Sequence, residues 1–177
     1  VTGGNNAGDS NEVDVTTSTE DANTYGARWP AVGEENNNLT TMTRLGAAAG
    51  KTAGADFDEF SPWSGMQREN IDGQVMVKIP KFYYKHTCSE VEIGDGQKRM
   101  VHEFWVADGP AEGFKLHPAF IRAGVEKECI YMGAYKAGET VEGGKTKLTS
   151  VSGVLPAVSR NINTFRTQAQ NRGTGWE

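Results

Sequence analysis

The chain has 177 residues, a formal net charge of -5 and 37% hydrophobic residues. This length predicts one domain of ordinary size, and an acidic balance without a basic stripe argues against a nucleic-acid partner. The apolar runs are only a few residues long, so the sequence predicts no bilayer-spanning segment, and the 22 glycines predict much loop.

Residues 1–40 are polar and poor in aliphatic side chains, which predicts a linker or an extended oligomerisation arm. Residues 13–17 (VDVTT) alternate and are compatible with a short strand. A segment of this composition cannot bury enough surface to offset its own ordering entropy. We therefore expect an ordered arm to pack on another subunit, and we assign residues 41–177 to the domain itself.

The first part of the domain predicts a turn and then a pinned loop. Residues 47–49 are alanines that allow a short helical turn closed by Gly50. Residues 56–63 (DFDEFSPW) place three aromatic side chains among acids. This pattern predicts a loop that its aromatic rings attach to the core.

Residues 74–87 give the clearest strand signal. Val75, Val77 and Ile79 alternate with other side chains, and Pro80 interrupts the run, which indicates an edge or a bulge there. Residues 90–93 alternate again. Residues 94–96 (GDG) are typical of a hairpin turn, so a return strand is expected at about 97–106.

The remaining elements are an apolar segment, a strand, a loop and a helix. Residues 113–121 are semi-extended and apolar, residues 128–135 predict a buried strand, and residues 136–147 predict a mobile glycine- and lysine-rich loop. Residues 159–172 predict the best helix, with Ile162, Phe165 and Ala169 on one face. Ser159, Asn161 or Asn163 can cap its start, and Gly173 suits its end.

Five of these segments follow one another in an order that resembles a known family. They are residues 77–85 (VKIPKFYYK), 113–120 (GFKLHPAF), 131–135 (YMGAY) and 150–156 (SVSGVLP), and the helix with residues 165–166 (FR) and the exit 172–176 (RGTGW). The order resembles the C-type-lectin-fold domain of bacteriophage tail-fibre and related virion proteins. It is also similar to the variable proteins of diversity-generating retroelements.

The resemblance covers roughly residues 42–177 and implies both fold and function. The implied fold is α+β, a loop-rich C-type-lectin-like mixed domain with small antiparallel sheets and packed helices, here with an extended N-terminal arm. In the family more sequence follows the glycine-tryptophan exit, so we expect the domain to be incomplete at its C-terminus. The first residue is Val1, which indicates a piece of a longer protein.

The implied function is that of a non-enzymatic virion surface protein, in a tail or head fibre, that binds a host receptor or glycan. Such a protein is made in the host cytoplasm, is expected to be a homotrimer and contacts other virion proteins. Two alternatives stay open: a structural capsid or tail decoration protein without its own ligand, and a virion-associated glycan hydrolase.

The histidines and Cys88 raise the question of metal or catalytic chemistry. His86, Cys88 and His102 would share a face of the hairpin with a three-residue turn, whereas a two-residue turn would send His102 to the other face. A fourth zinc ligand is not evident. His117 is interpreted as a core histidine.

Acidic and glycine-rich segments also lack the spacing of known sites. Asp56, Asp58 and Glu59 do not follow the order of a calcium loop, and residues 143–146 (GGKT) miss the spacing of a phosphate-binding loop. We therefore assign no catalytic, metal or cofactor-binding residue, and the ligand-binding residues stay unassigned.

Cysteines and aromatic residues complete the candidates. Cys88 and Cys129 are too few for a disulfide framework, and we interpret them as free thiols, with one disulfide as the alternative. The side chains of Trp29, Trp63, Trp105, Trp176, Tyr83 and Tyr84 are able to stack on sugar rings. For Phe82, Phe104 and Trp105 core packing is favoured.

Overall fold

The structure, a computed structural model, describes residues 24–30, 42–94 and 96–177, without the side chains of residues 93 and 94. The alternating segment 13–17 lies outside the described residues. The strands of the largest sheet are β1 (Thr24–Trp29), β2 (Thr43–Gly46), β5 (Tyr83–Gly94), β6 (Gln97–Ala107) and β7 (Lys115–Leu116). They are antiparallel in the order β2-β1-β6-β5-β7.

A second sheet and two hairpins complete the strands. The second sheet contains β3 (Gln67–Ile71), β4 (Gln74–Pro80) and β10 (Cys129–Gly133), in the order β10-β4-β3. One hairpin joins β8 (Ile121–Arg122) to β9 (Val125–Glu126), and the other joins β11 (Gly138–Glu142) to β12 (Lys145–Thr149). The helices of the described residues are α1 (Ala55–Asp58) and α2 (Ile162–Gln170). No helix within the described ranges is long and apolar enough to cross a membrane.

The prediction of an α+β fold with packed helices is wrong, because strands dominate the described chain and only α2 exceeds one turn. The C-type-lectin-like architecture that was expected with this fold class is wrong for the same reason. Residues 47–49 form the short turn that the sequence allows, in which the Ala49 N–H donates to the Gly46 carbonyl, and Gly50 closes it with left-handed backbone (φ 72).

Strand β1 belongs to the main sheet although its residues fall in the range assigned to the arm. Its backbone pairs with β2 on one side and with β6 on the other. Gly26 and Gly46 make room for the Trp105 indole, because a Cβ on Gly26 would lie 2.6 Å from that ring and a Cβ on Gly46 2.9 Å from it. These two glycines therefore fix where β1 and β2 sit against the sheet.

The pinned aromatic loop is confirmed. Phe57, Phe60 and Trp63 surround the Tyr25 ring, which is 6% exposed, with centroid distances of 6.3, 5.6 and 4.9 Å. The Tyr25–Trp63 pair is edge-to-face, a favourable arrangement of two aromatic quadrupoles. The loop thus covers the β1 end of the sheet.

The prediction of one strand over residues 74–87, with an edge or a bulge at Pro80, is wrong in part, whereas the hairpin that follows it is confirmed. Pro80 ends β4, and the chain resumes as β5 in the other sheet. The register shifts between Glu92 and Gly94, so Cys88 lies directly opposite His102. The bulge at this point gives the hairpin the register of a three-residue turn, although only two residues separate β5 from β6.

Two predictions for the later segments are wrong. Residues 136–147 contain the β11–β12 hairpin, because Gly143 (φ 58) and Gly144 (φ 74) form a two-residue turn with left-handed backbone at both positions. The strand at 128–135 exists as β10, but it is not buried, since Tyr131 is 40% and Met132 57% exposed. The apolar residues of β10 therefore lie partly at the surface and not in the core.

The helix prediction is confirmed in α2. The Asn161 side chain accepts a hydrogen bond from the Thr164 backbone N–H at 2.8 Å and caps the first turn. Ala169 is buried against β12, whereas Ile162, expected on the same face, is 62% exposed. The helix is therefore attached to β12 through its C-terminal half.

Candidate functional site

A groove with a volume of about 870 Å³ is formed by the described residues. Strand β10 and the β8–β9 hairpin contribute one part of its wall. Leu148 and Thr149 of β12, Ala169 of α2 and the segment 174–177 after the helix contribute a second part, and Ile71, Met76, Tyr135, Ala137 and Ser150 complete the lining. Elements that are distant in sequence therefore meet here, as at most ligand pockets.

The groove exposes apolar and aromatic side chains. Val125 is 55% and Tyr131 40% exposed, and Tyr135 and Trp176 also line the wall. Single exposed apolar residues are normal on a protein surface, whereas an apolar patch with a polar rim is typical of an interaction site.

Polar groups of the rim are held by bonds within the fold. The Tyr131 hydroxyl donates a hydrogen bond to Glu69 Oε2 at 3.0 Å. This hydrogen bond to the carboxylate raises the pKa of Tyr131 to about 12, with desolvation adding to the shift. The phenol therefore stays protonated at neutral pH, and its ring is fixed at the edge of the groove.

The helix exit is fixed by Arg172. Its side chain is 3% exposed, forms an ion pair with Asp72 at 2.7 Å and donates from Nε to the Leu148 carbonyl. Its guanidinium carbon also lies 5.4 Å from the centroid of the Trp176 ring. One buried cation thus links β12, α2 and the groove-lining Trp176.

An ion pair joins the end of the segment 174–177 to the β8–β9 hairpin. Arg122 Nη1 of the β8–β9 hairpin lies 3.2 Å from Glu177 Oε2. Both side chains are about half exposed, so this pair contributes little to stability but sets one boundary of the groove.

The His86, Cys88 and His102 candidates do come together, away from the groove. His86 Nε2 lies 3.1 Å from His102 Nδ1, and Cys88 Sγ lies 3.9 Å from His102 Nε2. The imidazole of His86 stacks on Phe104 at 4.6 Å. Within the described ranges no set of three or more His, Cys, Asp or Glu side chains is arranged to hold a metal ion.

His117, predicted to be a core histidine, is half-buried at the edge of the core. Its Nδ1 accepts a hydrogen bond from the Ala119 backbone N–H at 3.3 Å. Its ring lies 5.0 Å from Phe82 and 6.2 Å from the fully buried Phe120. It therefore caps the short 3-10 turn Pro118–Phe120.

The other candidates are dispersed. Asp56, Asp58 and Glu59 lie exposed on or beside α1, and residues 143–146 span the hairpin turn after β11. Cys88 is an exposed free thiol and Cys129 a half-buried one. Phe104, for which core packing was favoured, is 52% exposed, so that prediction is wrong. Its side chain lies exposed on the β5–β6 hairpin and stacks on the His86 ring.

The groove residues Tyr131 and Met132 were missed as a site because an apolar strand sequence is the same whether a layer covers it or not. Trp176 was noted only as one of several aromatics able to stack on sugars. Comparisons of the chain with protein-family models, with curated proteins and with solved structures found no match.

Proposed function

We propose that the chain is a non-enzymatic surface protein of a bacteriophage virion, in a tail or head fibre, that binds a glycan receptor on the host cell. The observation that carries this proposal is the groove of about 870 Å³ with its exposed apolar and aromatic wall. The resemblance of the order of its sequence segments to that of phage virion proteins suggests the biological setting.

The chemistry of the groove favours carbohydrate. Sugar rings have apolar faces that pack on aromatic planes, and Tyr131, Tyr135 and Trp176 offer such planes. The hydroxyl groups of a sugar need hydrogen-bonding partners nearby, and Lys127 and the Arg122–Glu177 pair at the rim provide them. A glycan therefore matches both parts of the wall.

Binding without turnover is favoured because the polar groups at the groove serve the fold. Tyr131 is bound to Glu69, and Arg122 to Glu177. Ser150 Oγ donates to the Val75 carbonyl at 2.7 Å and accepts from the Tyr135 N–H at 3.1 Å. Side chains held in this way lose little entropy when a ligand binds, which suits recognition.

The proposal extends to assembly and location. Fibre proteins of the resembling kind are homotrimers that contact other virion proteins, and we propose the same for this chain. Two free thiols are compatible with synthesis in the reducing host cytoplasm before incorporation into the virion. Light scattering of the purified protein would show the mass of three chains, whereas the mass of one would contradict the trimer.

A bacterial glycan array tests the function. We expect the purified protein to bind at least one surface polysaccharide, and Trp176→Ala to weaken that binding by roughly tenfold, as for a stacked aromatic. Phe104→Ala is the matched control, because Phe104 is an exposed aromatic outside the groove. A failure to bind any glycan would favour a decoration role, and release of reducing sugar would favour a hydrolase; either result overturns the proposal.

A further inference from the structure

The β8–β9 hairpin presents one of its two faces to the groove. Arg122 lies directly opposite Val125 in the hairpin register, and directly opposite residues share a face. Lys127 follows Val125 by two residues and therefore lies on the same side of the chain. All three line the groove, whereas Ile121 and Glu126 of the other face do not. The wall that this hairpin contributes is therefore basic.

The two glutamates that flank Lys127 in the sequence are held away from the groove by Lys81. Lys81 Nζ lies 2.7 Å from Glu126 Oε1 and 3.1 Å from Glu128 Oε1, and none of these three residues lines the groove. The Lys81 N–H donates to the Glu128 carbonyl at 2.8 Å, and the Lys127 N–H donates to the Phe120 carbonyl at the same distance. These backbone bonds fix which side each side chain takes. The Glu128 side chain is 84% exposed, so water screens its charge.

The groove carries a positive charge that the fold does not balance. Its charged lining residues are Arg122, Lys127 and Glu177, two cations and one anion. Arg122 is paired with Glu177, whereas no carboxylate of the described chain forms an ion pair with the Lys127 ammonium. The Glu69 carboxylate at the rim lies 3.8 Å from Lys78 Nζ, which balances it. The lining is thus positive by one charge in a chain whose net charge is -5.

From the free ammonium, the second cation on the same face and the aromatic wall, we propose that the groove binds a sugar with one negative charge, a hexuronate, whose carboxylate is bound by Lys127. Arg122 assists, because a guanidinium carries several N–H donors and its contact with Glu177 uses Nη1 alone. A single carboxylate matches the single unbalanced charge, whereas a phosphate ester carries about two negative charges at neutral pH. This inference rests on the proposed function as a glycan-binding protein and adds the charge class of the sugar.

Amide-resolved NMR titration of the whole chain tests the inference. The probes are the methyl glycosides of glucuronate and galacturonate, those of glucose and galactose as neutral counterparts, and a glucose phosphate ester as the more highly charged comparison. We expect a uronate to shift the amides of Val125 and Lys127 and the Trp176 indole N–H saturably, with a Kd on the order of 1 mM. Its neutral counterpart should bind about fivefold more weakly, because it lacks the charge that the ammonium attracts.

The variants separate the charge from the shape of the groove. Lys127→Gln should weaken uronate binding by about fivefold and leave the binding of the neutral glycoside unchanged, and Lys127→Arg should retain uronate binding. Lys145→Gln is the matched control, because it removes the same charge from an exposed lysine that does not line the groove. An increase of NaCl from about 20 mM to about 500 mM should weaken the binding of the uronate and not that of the neutral glycoside.

The outcomes distinguish this inference from the proposed function. The inference is overturned if the neutral glycoside binds as tightly as its uronate, if the phosphate ester binds more tightly, or if Lys127→Gln binds the uronate like Lys145→Gln. In each of these cases sugar binding itself, and with it the proposed function, remains. If no glycoside binds and the glycan array is also empty, both are overturned.

Discussion

Replacement of Arg172 is the most informative perturbation, because this side chain joins the helix exit to β12 and to the turn between β3 and β4. Three interactions end in Arg172→Ala: the bond to the Leu148 carbonyl, the contact with the Trp176 ring and the ion pair with Asp72. The ion pair matters least, since Asp72 is 58% exposed and a solvated pair contributes at most about 1 kcal/mol.

The larger contributions come from the buried part of the side chain. A lost partner for a buried carbonyl costs about 1–2 kcal/mol. The lost contact with the indole ring adds about 1 kcal/mol, and the lost packing of the aliphatic stem a similar amount. We therefore expect Arg172→Ala to lower the free energy of unfolding by about 3 kcal/mol, whereas Asp72→Asn lowers it by less than about 1 kcal/mol.

Urea denaturation measures both variants. With a slope of about 2 kcal/mol per molar urea, Arg172→Ala should move the midpoint down by about 1.5 M. Arg160→Ala is the control, because Arg160 forms a comparable pair with Glu139 but is 40% exposed. Equal shifts for Arg172→Ala and Arg160→Ala, or a larger shift for Asp72→Asn than for Arg172→Ala, would refute this account of the helix exit.

Three further perturbations give distinct outcomes. Without ligand, Thr149→Val should raise the free energy of unfolding by about 1 kcal/mol, because it removes a buried hydroxyl that has no partner among the described residues; urea denaturation beside Thr146→Val checks this. Gly26→Ala should destabilise the protein by about 2 kcal/mol, since the new methyl group meets the Trp105 ring, and an unchanged melting temperature would contradict that packing. The hydrogen bond from Arg28, with the one from Trp105, lowers the pKa of Glu103 below 4.5. The stability that the ionised Glu103 contributes is therefore present above pH 4.5 and is lost as the pH falls through the lowered pKa. Thermal melts of Glu103→Gln should show a melting temperature that depends less on pH in this acid range than that of the unmodified protein.

Short-range features were predicted well from the sequence. The β5–β6 hairpin follows from alternation and from the glycines at its turn, and α2 follows from its apolar spacing and its Asn161 cap. The break at Pro80 and the pinned aromatic loop were also predicted. The hairpin, the helix and the break at Pro80 depend on residues close together in the chain, whereas the aromatic loop was predicted from its composition and its partner Tyr25 is distant in sequence.

The fold class was not predicted, because the weight of strand over helix depends on pairings between distant segments. Strand β1 is paired with β6, more than seventy residues away, and glycines that admit the Trp105 ring hold it there. The resemblance to phage virion proteins led to an expectation of packed helices that the strand-rich structure contradicts. As an indication of function it stays a prediction.

The sequence by itself determined the turns, caps and alternation that form individual hairpins and the one long helix of the described chain, because those preferences reside in a few neighbouring residues. Only the tertiary structure decided which apolar strand is left open, since Tyr131 and Met132 of β10 are both exposed and no layer covers either of them. It also decided that Thr149 Oγ1 lies beside Val154 and that Arg172 joins Trp176 to β12. Burial and hydrogen-bond satisfaction arise from what distant segments place around a side chain, and that information is not contained in any local pattern.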